Sequence, residues 1–205
     1  MADNSEVKFI IPGKYPVRDN QQLKKMAMRK IVIFILLLFS GAVYAKSIDL
    51  NLHSDALRFT YAFAVDKNLV TDLGVLYIDK QRKLDDNELA FHAGLNVVSG
   101  NVRFGGRAFF VAPGNAEALA IGFGGQGRFA LTPRIGLGGH LYYAPEITSM
   151  LDAEGYHEYS VRLDFKVTPS AYLYLGYRNV KVRIGSRENK VELDDNVMVG
   201  FKVYF

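Results

Sequence analysis

The stretch Asn196-Val-Met-Val-Gly-Phe-Lys-Val-Tyr-Phe205 alternates apolar residues with polar or small ones over ten positions. Successive side chains of a β-strand point to opposite faces. One face of this strand would therefore be wholly apolar, carrying Val197, Val199, Phe201, Val203 and Phe205. An apolar strand that ends on an aromatic residue suits a closed membrane barrel better than a soluble domain. The stretch predicts a transmembrane strand with Lys202 pointing inward.

The same alternation recurs along the chain after Lys46, where no useful length shows the i, i+3, i+4 spacing of an amphipathic helix. In Tyr156–Val167, for example, Glu158, Arg162 and Asp164 alternate with apolar and aromatic residues. We predict ten strands, with eight as the alternative count. They lie at 47–53, 56–65, 69–78, 88–98, 102–111, 118–131, 134–144, 156–167, 171–182 and 195–205.

Short and long connections alternate between these strands. Tight turns are predicted at 66–68, 99–101, 132–133 and 168–170, the last three with Gly or Pro, and longer polar segments at 79–87, 112–117, 145–155 and 183–194. Only the Ser54-Asp55 connection breaks the alternation. Bacterial outer-membrane barrels have short periplasmic turns and long external loops. We therefore predict an all-β fold, an antiparallel transmembrane β-barrel; a soluble β-sandwich is the alternative.

The positive net charge of +4 lies outside the predicted barrel. Residues 1–45 hold seven Lys or Arg against three Asp or Glu, whereas residues 46–205 hold eighteen of each sign. Nucleic-acid binding needs clustered surplus charge, so we expect no nucleic-acid partner. Cysteine is absent, which excludes disulfides and thiolate metal sites. We expect no cofactor and no metal site; calcium binding by the acidic loops is the alternative.

The amino-terminal region has the order of a secretory signal. Basic residues within 24–30 precede the apolar run Ile31–Phe39, and small residues lead to cleavage after Ala45. A membrane anchor is the alternative, but nine apolar residues fall short of the ~20 that a spanning helix needs. We predict a signal peptide at 28–45 and the barrel at 46–205. Residues 1–27 are then either upstream of the true start, at Met26 or Met28, or a disordered extension.

The inward faces of the strands carry most of the charged side chains. The basic set is Arg58, Arg103, Arg107, Arg128, Arg134, Arg162, Lys166, Arg178 and Lys202. The acidic set that faces it is Asp49, Asp72, Glu88, Glu158 and Asp164. Nine basic against five acidic groups favour a narrow pore or a site for a small anionic solute. The alternative is a packed polar core, which the interior of a barrel of about eight strands can accommodate. Inward glycines such as Gly94, Gly122 and Gly136 favour the pore.

A hydrolase is the enzymatic alternative. His92 and His140 should face inward, and Glu158 and Ser160 lie on the strand that follows His140, so a Ser/His/Glu grouping can be formed. The spacing is not distinctive, and we expect a non-enzymatic protein. Tyrosines near strand ends, among them Tyr61, Tyr142, Tyr143 and Tyr177, predict aromatic girdles at the membrane interfaces.

The chain resembles the YfaZ family of small, Gly-rich outer-membrane proteins. The resemblance rests on the signal and on four segments, Gly122–Gly127, Leu141–Glu146, Leu175–Arg178 and Asp194–Phe205. It implies an outer-membrane barrel of a Gram-negative bacterium but no established activity and no catalytic residue. We expect outer-membrane lipid and lipopolysaccharide around the barrel. A terminal Phe205 also fits a signal read by the barrel-assembly machinery. The predicted function is a small pore or a structural, surface-interacting barrel.

Overall fold

In a computed structural model, which describes residues 46–79, 88–111, 117–185 and 190–205, the chain is an antiparallel β-barrel. The described residues form eleven strands and one 3-10 helix, Glu146–Thr148. The strands are β1 (Lys46–His53), β2 (Ala56–Asp66), β3 (Leu69–Ile78), β4 (Glu88–Ser99), β5 (Val102–Val111), β6 (Ala118–Ala130), β7 (Ile135–Ala144), β8 (Ser149–Leu151), β9 (Ala153–Thr168), β10 (Ala171–Ile184) and β11 (Lys190–Tyr204).

Ten of these strands close into a barrel, and the short β8 is additional. The last strand β11 pairs with the first, β1, from Ser47↔Tyr204 to Leu52↔Val199. Closure leaves no open sheet edge, and in lipid an open edge would leave backbone N–H and C=O groups without partners. The predicted ten-stranded barrel is confirmed, and the alternatives of eight strands and of a sandwich are wrong.

The outer surface of the barrel is apolar. Along β4, Leu89, Phe91, Leu95 and Val97 are exposed, while the alternating His92 is buried. On β11, Val197 and Val199 are more than half exposed, as the alternation in 196–205 predicted. Apolar bands of this size are rare on soluble monomers and are typical of the lipid-facing wall of membrane barrels. Among the described residues, no helix is long and apolar enough to cross a membrane.

The two ends of the barrel differ in their connections. At one end, here the short-turn end, the strands are joined near 67–68, 100–101, 131–134 and 169–170. At the other, the loop end, they are joined by Ser54-Asp55 and by the segments 79–87, 112–117, 145–152 and 185–189. The asymmetry matches the predicted one, and Ser54-Asp55 is the tight connection at the loop end.

Two predicted loops contain more regular structure than expected. Pro145 follows the end of β7, and the chain leaves the wall in a 3-10 turn in which the Thr148 and Ser149 hydroxyls donate hydrogen bonds to the Pro145 carbonyl. It returns as β8, which pairs with Ala118–Ala120 of β6, above the point where β7 ends. The loop predicted at 183–194 is also shorter than expected, because β10 continues to Ile184 and β11 already begins at Lys190.

The lumen near the loop end is filled by an apolar layer, which the sequence analysis did not predict. Its fully buried members include Val111, Tyr156, Val180 and Val182. The rings of Phe109 on β5 and Tyr156 on β9 stack from different walls, with centroids 4.3 Å apart. Side chains from different strands therefore meet inside the lumen at this level.

The predictions for the amino-terminal region lie outside the described residues. They are the extension 1–27, the signal peptide 28–45 and cleavage after Ala45.

Candidate functional site

A charged network lies across the middle of the lumen, and Glu158 on β9 is its centre. The Glu158 carboxylate accepts hydrogen bonds from Arg58 of β2, from Tyr156 and, at 3.2 Å, from Arg107 of β5. It also contacts His140 Nε2 of β7 at 2.7 Å. Glu158, Arg58 and Arg107 are all buried. Through these contacts, one carboxylate on β9 links that strand to β2, β5 and β7.

The network continues on one side through Asp72 of β3. Arg107 Nη2 donates to Asp72 Oδ1 at 2.9 Å, and the Asn96 amide donates to Asp72 Oδ2 at 2.7 Å. The Tyr142 hydroxyl in turn donates to Asn96 at 2.9 Å, and the Arg107 guanidinium lies 3.9 Å from the centroid of the Tyr142 ring. Charged hydrogen bonds of this kind are stronger than neutral ones, particularly away from water.

On the other side, Arg178 of β10 donates to Asp194 of β11 and to Asn51 of β1. His53 Nε2 lies 2.8 Å from the same Asp194. Asp194 was not among the predicted lumen residues, because the last strand was predicted to begin at 195 and Asp194 was assigned to the preceding loop, whereas β11 begins at Lys190. Alternation continued from Val197 places Asp194 inward, and a bulge at the register shift between Val180 and Lys181 buries the adjacent Leu193 as well. Bulges re-aim side chains in this way, and no residue type in the stretch announces one.

Charge is balanced within this middle network. Arg58, Arg107 and Arg178 face Asp72, Glu158 and Asp194, three cations against three carboxylates. Buried charges persist only when they are paired and hydrogen-bonded. The surplus of basic over acidic side chains that was predicted for the lumen therefore lies elsewhere.

The inward glycines accommodate large side chains on neighbouring strands. A Cβ on Gly94 would lie 2.5 Å from Asp72 Oδ2, and one on Gly136 would lie 2.5 Å from Arg128 Nη2. Gly74 makes room in the same way for the His92 ring. Neighbouring side chains occupy the space beside these glycines, so the glycines are no argument for an open pore.

A cavity of about 230 Å³ opens at the short-turn end, and we call it the vestibule. Its charged lining consists of Arg103, Arg128, Arg162 and Lys202, and Gln126 and His140 also line it. A smaller space of about 50 Å³ lies next to it and includes Ser160 in its lining. The surplus positive charge of the lumen is concentrated here.

Most of the predicted lumen residues do line the lumen or its mouths. Arg58, Arg107, Arg178, Lys202, Glu88, Glu158 and Asp164 are buried, and Arg103, Arg128, Arg162 and Lys166 are half-buried. Two predictions are wrong. Arg134 is exposed in the turn before β7, because that strand begins one residue later than predicted. Tyr142 belongs to the luminal network rather than to an aromatic girdle, because its position on β7 points inward.

The predicted Ser/His/Glu grouping is hydrogen-bonded. Ser160 Oγ lies 2.8 Å from His140 Nδ1, and His140 Nε2 lies 2.7 Å from Glu158 Oε1. An ionised carboxylate can only accept, so Nε2 donates to it, and in a neutral imidazole Nδ1 then accepts from the Ser160 hydroxyl. This is the order of groups in a charge-relay triad. Unlike the acid of such a triad, however, Glu158 also neutralises two arginines.

The chain matches one protein family and several membrane barrels of known structure. The model of the family described as YfaZ precursor matches residues 23–205. The outer membrane protease OmpT from Escherichia coli is similar at 10% identity, with coverage of 78% of this chain and 93% of OmpT and a TM-score of 0.49. The NanC porin is similar at 9% identity, with coverage of 78% and 98% and a TM-score of 0.42.

The outer membrane channel DcaP of Acinetobacter baumannii is similar at 13% identity over 80% of this chain, with a TM-score of 0.37. The chain spans 62% of the length of DcaP. No curated protein sequence matches the chain. At these identities and TM-scores the similarities say nothing of activity.

Proposed function

The chain belongs to the YfaZ precursor family, and we propose that it is a non-enzymatic, non-conducting barrel of the bacterial outer membrane. Its role would be structural, or one of surface interaction, rather than solute transport. The observation that carries this proposal is the apolar layer at the loop end, where side chains from different walls stack across the lumen. The charged network below it is a second obstacle, since its ions are paired with one another.

The proposal also assigns an orientation and partners. By the rule that external loops are long, the loop end faces outward and the short-turn end faces the periplasm. The apolar wall would contact outer-membrane lipid and lipopolysaccharide, and the barrel-assembly machinery would insert the chain. Export by the signal peptide belongs to the same proposal.

Solute flux tests whether the barrel conducts. We expect proteoliposomes that contain the refolded barrel to exclude arabinose, swelling no faster than protein-free liposomes. The same liposomes with a general porin provide the positive control. Swelling that scales with the amount of this protein would contradict the proposal and would favour the small pore.

A hydrolase is the second candidate, and the hydrogen-bonded Ser160–His140–Glu158 chain favours it. The Ser160 side chain would attack, His140 would take its proton, and Glu158 would hold the imidazole. The two arginines on Glu158 count against this role, because they oppose the positive charge that His140 must develop.

Activity assays separate the two candidates. We expect the purified barrel to show no lipase, esterase or protease activity above that of its Ser160→Ala variant. A turnover that the wild type shows and Ser160→Ala loses, while both migrate as folded barrels, would establish the hydrolase and overturn the non-enzymatic proposal.

A further inference from the structure

The vestibule at the short-turn end has the composition of an anion site. Four cationic side chains line it, Arg103, Arg128, Arg162 and Lys202, and within the described part of the chain no carboxylate does. The nearest acids lie behind this lining and are shared: Asp49 with Arg162 at 3.0 Å and Lys202 at 3.6 Å, and Asp164 with Arg128 at 2.8 Å. Four cations against two carboxylates leave two positive charges uncompensated.

Arg103 is the side chain in this cavity that points most clearly to an anionic ligand. Its guanidinium makes no hydrogen bond, ion pair or ring contact with any part of the chain that the structure describes, although it is half-buried. The other three cations each have a carboxylate partner. A guanidinium offers five donors in a planar fork, so a half-buried Arg without a partner is suited to an anionic ligand.

We propose that the vestibule binds the phosphate group of a small molecule that enters from the periplasmic side. A phosphate dianion would balance the two uncompensated charges, and the Arg fork matches its oxygens bidentately. The volume of about 230 Å³ holds a phosphate with a small attached group. The Gln126 amide and His140 line the same cavity and add hydrogen-bonding capacity.

Access is from one side only. The charged network and the apolar layer close the lumen above the vestibule, so the ligand binds without crossing the barrel. The site itself does not depend on the closed lumen, because binding to detergent-solubilised barrel is measured without a membrane to cross. A failure of this proposal is thereby distinguishable from a failure of the proposed function.

Isothermal titration of the barrel with inorganic phosphate, in a non-ionic detergent, tests the site. Arg103→Gln removes the unpartnered charge without breaking an ion pair, and we expect it to weaken phosphate binding about tenfold, as the loss of a charge-assisted hydrogen bond predicts. Arg183→Gln is the matched control, because Arg183 is exposed near the loop end and donates to the Glu154 carbonyl. We expect this control to bind phosphate as the wild type does.

Two further arms identify the ligand. Acetate should bind more weakly than phosphate, and equal affinity would overturn the assignment to phosphate. A lipid headgroup is the other source of a phosphate group, so the titration is repeated in nanodiscs of phosphatidylcholine and of phosphatidylglycerol. Affinities equal to that in the non-ionic detergent, which carries no phosphate, support a soluble ligand, whereas weaker binding in both nanodiscs would assign the site to lipid.

The decisive outcomes concern Arg103. Phosphate binding by the wild type that Arg103→Gln weakens and Arg183→Gln leaves unchanged supports the site. Absence of phosphate binding by the wild type, or an affinity that Arg103→Gln leaves unchanged, would overturn it. The shift in gel mobility on heating, which folded membrane barrels show, verifies that each variant is folded.

Discussion

Glu158→Gln should lower the free energy of unfolding of the barrel by about 3–5 kcal/mol, the usual cost of removing one partner from a buried ion pair. The substitution keeps the shape of the side chain but removes its charge. Arg58 and Arg107 then lose their shared carboxylate. The NH2 group of the glutamine replaces one acceptor oxygen and faces an N–H donor, with which it cannot form a hydrogen bond. The penalty is large because both guanidiniums are buried and cannot turn to water.

Urea unfolding of the protein refolded in lipid vesicles measures this change. The chain has no tryptophan, so circular dichroism rather than indole fluorescence follows the transition. Glu154→Gln is the matched control on the same strand, because the Glu154 side chain makes no hydrogen bond or ion pair within the described residues. If the two variants unfold at the same urea concentration, Glu158 does not hold the barrel walls together.

Phe109→Ala should cost about 3–5 kcal/mol, because it removes buried apolar surface and leaves a cavity in the apolar layer. Phe109 is 4% exposed and stacks on Tyr156 across the lumen. Lipid cannot enter the lumen to fill the space that the ring leaves. The loss should therefore include both the transfer free energy of the ring and the free energy of the cavity.

Phe104→Ala is the matched control, on the same strand but facing outward with 58% exposure. Lipid fills the space that this truncation leaves, so only the transfer free energy is lost, about 2 kcal/mol. The same unfolding measurement compares the two variants. Equal destabilisation would mean that the interior at Phe109 is no better packed than the lipid-facing wall.

The wall of the barrel was predictable from the sequence because it depends on local patterns. Period-two alternation in Tyr156–Val167 and the turn at Ser99–Asn101 fix strands and hairpins within a few residues of the observed bounds. Alternation also placed Glu158 and Arg107 inside the lumen. Each of these features concerns one strand or two strands that are neighbours in the chain.

The content of the lumen was not predictable in the same way, because it depends on contacts across the barrel. Nothing local distinguishes Arg58, which is paired with a residue one hundred positions away, from Arg103, which has no partner among the residues that the structure describes. The bulge that buries Leu193 arises from the register between β10 and β11. The inward glycines suggested open space, yet Gly94 accommodates the side chain of Asp72. Alternation predicts which face of the barrel wall a side chain lies on, but not which side chains it contacts there.

Single-channel recording in planar bilayers tests most directly whether the lumen is closed. We expect a flat current trace after insertion of the wild-type barrel, because the apolar layer and the paired charges block a continuous water path. Insertion is verified on the same preparation by the shift in gel mobility on heating. Reproducible conductance steps with anion preference, reduced by Arg107→Ala, would contradict the account and show that the lumen is an open pore.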